Sequence, residues 1–263
     1  MLILGFTHLE SQAEPIPVRY AEGLVHGFLI LRTLDGVVVA DGDLLQVARG
    51  DRVTAQLVFR FRDGSVHDET AVYTQRRQFR LVSYHLRQQG PAFPRALEMT
   101  IDAPAGTVTV THSDDDGEQS GEQKIVSEHM DLPDDLANGM VSTLLKNVKP
   151  GALPRSLSYV AATPKPRVVK LEIATAASQD RFVTGRRGRL ATHYVVKVEI
   201  GGLAGVIAPL VGKQPPDSHV WILGGTAPAF VRAEQTLAAG GPTYRIELTS
   251  PSWPRPAPAA AAK

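Results

Sequence analysis

Between residues 52 and 61 the chain alternates. Val53, Ala55, Leu57, Phe59 and Phe61 fall on one side, and Arg52, Thr54, Gln56, Val58 and Arg60 on the other. A period of two with one apolar side is a half-buried strand. The same reading predicts strands at Leu24–Thr33, followed by an Asp35-Gly36 turn, and at Val37–Ala40, closed by Asp41-Gly42. Asp63-Gly64 turns the chain into Ser65–Thr74, where Val66, Asp68, Thr70 and Val72 share a face. Gln78–Arg87 sets Phe79, Leu81, Ser83 and His85 opposite Arg80, Val82, Tyr84 and Leu86. Ten further strands are predicted: Leu97–Ala103, Thr107–His112, Lys124–Glu128, Leu157–Ala161, Val168–Ala174, Arg181–Thr184, Ala191–Ile200, Val220–Leu223, Ala229–Glu234 and Tyr244–Leu248. Short runs at a spacing of about 8–12 residues, cut by Gly, Pro and Asp-Gly, belong to antiparallel sheets.

One segment changes period. Asp131-Leu132-Pro133-Asp134-Asp135 has a capping residue, an early proline and acidic residues where a helix begins. Leu136, Met140, Val141, Leu144, Leu145 and Val148 then recur at helical spacing, and Pro150-Gly151 ends the run. Gly139 costs about 1 kcal/mol relative to Ala, which six apolar positions outweigh. The expected fold is mainly β: a large curved antiparallel sheet, a β-clam or incomplete barrel, with one amphipathic helix near 133–148 packed against it. Residues 15–250 are expected to form a single antiparallel β domain, its two halves sharing one core. Residues 1–14 read as a flexible N-terminus or the remnant of a truncated signal, and the Pro/Ala-rich 251–263 as a disordered tail.

Composition narrows the partners. The 263 residues carry 28 Lys+Arg against 27 Asp+Glu, so a net charge of +1 gives no electrostatic reason for a nucleic-acid partner. No run reaches the ~20 apolar residues of a spanning helix. With no Cys, disulfides, thiolate metal sites and a Cys nucleophile are excluded.

Three stretches carry a resemblance: Phe59-Arg60-Phe61-Arg62-Asp63-Gly64-Ser65; Asp131 to Gly139; and His219-Val220-Trp221-Ile222-Leu223 with Ala227-Pro228-Ala229-Phe230-Val231-Arg232. In them the chain resembles an uncharacterised group of secreted or periplasmic bacterial β-proteins. More distantly it is similar to the lipoprotein-carrier and lipoprotein-receptor β-clam proteins of outer-membrane sorting. That resemblance implies a curved sheet around a helix-lidded apolar cavity for acyl chains, and a periplasmic or secreted location, with a cytoplasmic one as the alternative. Without a Cys there is no lipid-anchoring site in this chain.

Catalytic patterns are absent. Ser65 lacks the flanking glycines of a nucleophile elbow, and the Gly205–Gln214 stretch has the wrong spacing for a phosphate loop. In His67-Asp68-Glu69, alternation puts His67 and Glu69 on one face and Asp68 on the other, which reads as a solvated strand face. His112, His193 and His219 stand alone in the sequence. Asp114-Asp115-Asp116-Gly117-Glu118 fails the ligand spacing of a calcium loop and reads as a hairpin tip. Arg186-Arg187-Gly188-Arg189 reads as a solvated basic turn, and Gly201–Gly212 as a charge-free apolar loop, either buried or a flap. No catalytic residue, metal site or cofactor is expected.

The function expected from these features is non-enzymatic: an envelope protein holding a lipid or acyl chain in an apolar groove. Its lining would be Leu57, Phe59 and Phe61 of the sheet, Leu136, Met140 and Leu144 of the helix, and Ile207 and Leu210 of the apolar loop. The alternative is a structural or assembly protein that contacts another envelope protein.

Overall fold

The structure is a computed structural model, and it describes residues 15–113, 123–149, 151–153, 155–177, 179–184, 187–199 and 215–249. Those residues form one large antiparallel sheet and a short helix. The first half contributes β1 (Val25–Thr33), β2 (Val38–Arg49), β3 (Arg52–Phe61), β4 (Val66–Gln75), β5 (Phe79–Gln89), β6 (Leu97–Asp102), β7 (Thr107–Ser113) and β8 (Gln123–His129). After α1 (Val141–Asn147) come β9 (Arg155–Ala161), β10 (Arg167–Thr175), β11 (Asp180–Thr184), β12 (Arg187–Glu199), β13 (Ser218–Leu223), β14 (Ala229–Thr236) and β15 (Thr243–Thr249). Each predicted strand is present.

The order across the sheet is β8-β7-β6-β5-β4-β3-β2-β1-β15-β14-β13-β12-β10-β9. Two meanders are therefore joined by one seam, where Leu31 of β1 lies opposite Ile246 of β15. β12 is shared: β11 pairs its first residues, with Asp180 opposite Ala191, and β10 its last, with Leu171 opposite Val198. The sheet stays open, with β8 at one end of the pairing order and β9 at the other. One continuous core runs from Leu29 and Phe59 of the first half through Leu136–Leu145 to Val160, Val196 and Ile246 of the second.

Three local expectations are corrected. Asp41-Gly42 is not a turn. β2 runs through it, with Gly42 opposite Phe59, and a Cβ there would lie 2.5 Å from the Phe59 ring. The glycine makes room for an aromatic ring. β5 does not keep a strict alternation: Val72 faces Ser83 but Tyr73 faces Leu81, so Val82 is a bulge residue whose carbonyl accepts a hydrogen bond from Ala103 N–H at 3.1 Å. Beyond the bulge the buried side chains are Tyr84, Leu86 and Gln88, not Ser83 and His85.

The helix is the third correction. It covers only Val141–Asn147, not 133–148. Gly139 has φ +68°, outside the helical region, and the polar residues before it serve β9 rather than a helix cap. Leu136 bridges to Ser158, Asp135 Oδ2 accepts from Ser158 N–H at 3.1 Å, and the Asn138 amide exchanges two hydrogen bonds with the backbone of Val160. The N-cap, Met140, makes no side-chain cap bond. Half of the segment thus covers the free edge of β9 as extended chain and turns.

Candidate functional site

The inner face of β3, β4 and β5 carries the residues that the sequence nominates. Phe59 and Phe61 project from β3 into the core, and Phe61 meets the edges of Phe93 and Tyr244 at centroid distances of 5.5 and 5.9 Å. Leu136 and Met140 reach the same core from the covering segment, and Leu144 from α1. Leu57 is half-buried at its margin, opposite Leu44 on β2 and Glu69 on β4. Ile207 and Leu210, with the whole Gly201–Gly212 run, lie outside the described residues, as does the Asp114–Glu118 tip. Phe59 has 0 % of its surface exposed, and Leu136, Met140 and Leu144 no more than 2 %. A void large enough for water would leave accessible area on its walls, so in this conformation these side chains are filled against one another.

Polar groups converge in this apolar setting. The face bearing His67 and Glu69 is the core face and not a solvated one: His67 is buried, and 18 % of the Glu69 side chain is exposed. Gln88 donates from Nε2 to the Leu237 carbonyl at 2.6 Å and to His67 Nδ1 at 3.1 Å. A carbonyl only accepts, so the amide orientation is fixed, and the His67 ring carries its proton on Nε2. That nitrogen is 3.6 Å from Glu69 Oε2 and has no hydrogen-bond partner. Tyr84 and Tyr159 complete the group beside Glu69. Burial, reinforced by the Glu69 charge, pushes both phenols well above the ordinary tyrosine range.

Polar clasps add to the apolar hold on the covering segment. Besides the β9 contacts, Asn147 Oδ1 accepts from Arg19 N–H and Tyr20 N–H, both at 2.8 Å, and Arg19 Nη1 donates to the Val148 carbonyl at 3.1 Å. Asp135, itself buried, leaves its Oδ1 without a hydrogen bond. At the centre of the segment a Cβ on Gly139 would lie 2.5 Å from Ala71 Cβ and 3.2 Å from the Tyr84 ring. The chain therefore lies directly on the inner face of β4 and β5.

Sequence reasoning missed Tyr84, Tyr159 and Gln88. The β5 bulge hides the first and third from a period count. Tyr159, on β9, is brought beside Glu69 and Tyr84 only by long-range folding. The histidines taken as isolated also need correcting. His193 Nε2 and His219 Nδ1 are 2.9 Å apart on the outer face, and His193 stacks on Trp221 at 4.3 Å. Trp221 donates to Asp180 Oδ2 at 2.5 Å, and the Arg232 guanidinium lies over both Trp221 and Phe182. Burial and the neighbouring His219 lower the His193 pKa below the usual histidine value. Among the described residues no three His, Cys, Asp or Glu side chains are grouped to hold a metal ion. No helix there is long and apolar enough to cross a membrane.

No family model, curated protein or solved structure matches the chain.

Proposed function

We propose that this is a non-enzymatic binding protein of the bacterial envelope, periplasmic or secreted, that takes a hydrophobic ligand with a long acyl chain between its inner face and segment 131–148. The observation that carries the reading is a pair of unpaired buried polar atoms, His67 Nε2 and Asp135 Oδ1, in the interior that this segment closes. Each costs roughly 1–3 kcal/mol while the segment is down. Lifting the segment exposes Leu136, Met140, Leu144, Leu145 and Val148, a loss of about 8–15 kcal/mol at 1.5–3 kcal/mol per side chain. An acyl chain of about fourteen to sixteen carbons returns ~11–13 kcal/mol at 0.8 kcal/mol per methylene. Exchange of one apolar filling for the other is therefore near balance, and lifting the segment gives Asp135 Oδ1 access to water. The resemblance to β-clam carriers points the same way.

The absence of Cys makes a direct test available. Leu136 and Ser158 are bridge partners, so a Leu136→Cys/Ser158→Cys pair should close a disulfide that holds the segment down. Native mass spectrometry of the oxidised and reduced protein with a phospholipid extract reads the outcome. A bound lipid in the reduced form only is expected; no lipid in either form, with the protein folded, overturns the reading. A second reading, assembly with another envelope protein, has one observation behind it. Strand β8 is an end strand with most of its side chains exposed, Ile125 at 70 %. Clean apo masses with pull-down of a single envelope partner would favour it.

A further inference from the structure

The two end strands of the sheet are finished differently. The outer edge of β9 is taken up by Asp135 and Asn138, which bond the backbone of Ser158 and Val160. Among the described residues β8 pairs with β7 alone, and none of them bonds its other edge. We propose that this edge pairs with the β8 edge of a second copy of the chain, antiparallel and about a two-fold axis through Val126, to make a homodimer. The inference goes beyond the ligand reading and does not rest on it.

The ladder with β7 fixes which backbone groups the edge offers. Met130 N–H donates to the Gly106 carbonyl at 2.7 Å, in step with the register that sets Val110 opposite Val126. In an antiparallel ladder alternate residues turn their backbone groups to the same neighbour. Lys124, Val126 and Glu128 therefore bond β7, while Gln123, Ile125, Ser127 and His129 turn their N–H and C=O groups outward. Such a row is a template for another strand. Side chains select which strand. An axis at Val126 sets Val126 against itself, and Ile125 against Ser127, Lys124 against Glu128 and Gln123 against His129, each of these three twice. Ile125, 70 % exposed, gains a neighbour, and opposite charges meet on both sides of the axis, whatever local contacts Lys124 also keeps. Moving the axis one residue either way is worse. At Ile125 it sets Lys124 against Val126, and at Ser127 it sets Glu128 against Val126. The strand is thus complementary to itself in one register, and a second copy of the chain is the partner that carries the matching sequence.

Sedimentation velocity over a concentration series should show the wild type passing from monomer to dimer. Lys124→Glu and Glu128→Lys each bring like charges together, and each is expected to move that transition to about tenfold higher concentration or more. Mixed in equal amounts the two variants are complementary, and they should pair with each other as readily as the wild type does with itself. The chain has no Cys, so Val126→Cys places its one thiol at the axis. A residue pair without backbone bonds has its Cα atoms about 4.5 Å apart, within reach of a disulfide. Oxidation should link this variant into dimers and leave Gln123→Cys, far from its own copy, unlinked. Val126→Cys keeps both charges, so it decides the matter where a charge variant fails to fold. A wild type still monomeric at ~1 mM overturns the proposal and leaves β8 to a different protein. Dimers that link through Gln123→Cys and not through Val126→Cys, or that both charge variants leave unchanged, also overturn it, because the copies then meet elsewhere.

Discussion

His193 shows how a single side chain is set by neighbours that no local pattern reveals. It is partly buried, stacked on Trp221 and hydrogen-bonded to His219, with Asp180 and Glu234 nearby. Burial and His219 outweigh the two carboxylates, so its folded pKa lies below its unfolded value. The unfolded chain then binds more protons, and the stability that this group contributes is present above the ordinary histidine value of about 6.5 and lost as pH falls below it. The urea midpoint is expected to drop between about pH 7.5 and 5.5, and His193→Gln to flatten that dependence. An equal slope in wild type and variant would remove His193 as the cause. At this scale the sequence is only partly readable. The alternation of β3 placed Phe59 and Phe61 inside, yet Gly42 looked like a turn residue because nothing near it in sequence announces the ring it admits.

Elements were legible wherever period and turn chemistry agreed. The fifteen strands follow from alternation and punctuation, and the turns at Asp35-Gly36 and Asp63-Gly64 form as read, with Gly36 N–H on Thr33 and Gly64 N–H on Phe61. The helix was overextended because apolar spacing records which residues are buried and not the backbone that buries them. Leu136 and Met140 reach the core from non-helical chain. Asn138 does what a predicted helix position could not: it stands in for a neighbouring strand on the edge of β9. Asn138→Ala strands a buried N–H and C=O of Val160 and is expected to cost about 2–4 kcal/mol. Chemical denaturation checks the magnitude. The Asn138→Ala variant should also take up a fluorescent fatty acid faster than the wild type, because the clasp on segment 131–148 is weaker.

The pairing of the two halves could not be read from the chain. Hairpins predict sequential neighbours, and twelve of the strand pairings obey that rule while β10–β12 skips one strand; the β1–β15 seam does not obey it, and it decides that both halves share one core. The polar group of His67, Glu69, Tyr84 and Tyr159 depends on the same long-range curl, which is why two of its members read as a solvated face. A core continuous through both halves should unfold in one step. With Trp253 replaced by Phe, Trp221 fluorescence reports β13, and near-UV circular dichroism reports the tyrosines of both halves. Coincident urea transitions are expected; separate midpoints would mean two independently stable units.

The seam also governs when the molecule can come into being. Strand β1 has β2 beside it almost at once, but its other neighbour is the last strand of the described chain. During synthesis the first meander therefore waits with a bare edge in what will be the middle of the sheet, an adhesive surface until β15 arrives. The two strands at the outer ends of the sheet, β8 and β9, are by contrast consecutive in the chain, joined through the segment that closes the interior. Cutting that connection would leave two contiguous meanders able to meet along a single zipper of six residue pairs, Phe28–Thr33 against Tyr244–Thr249.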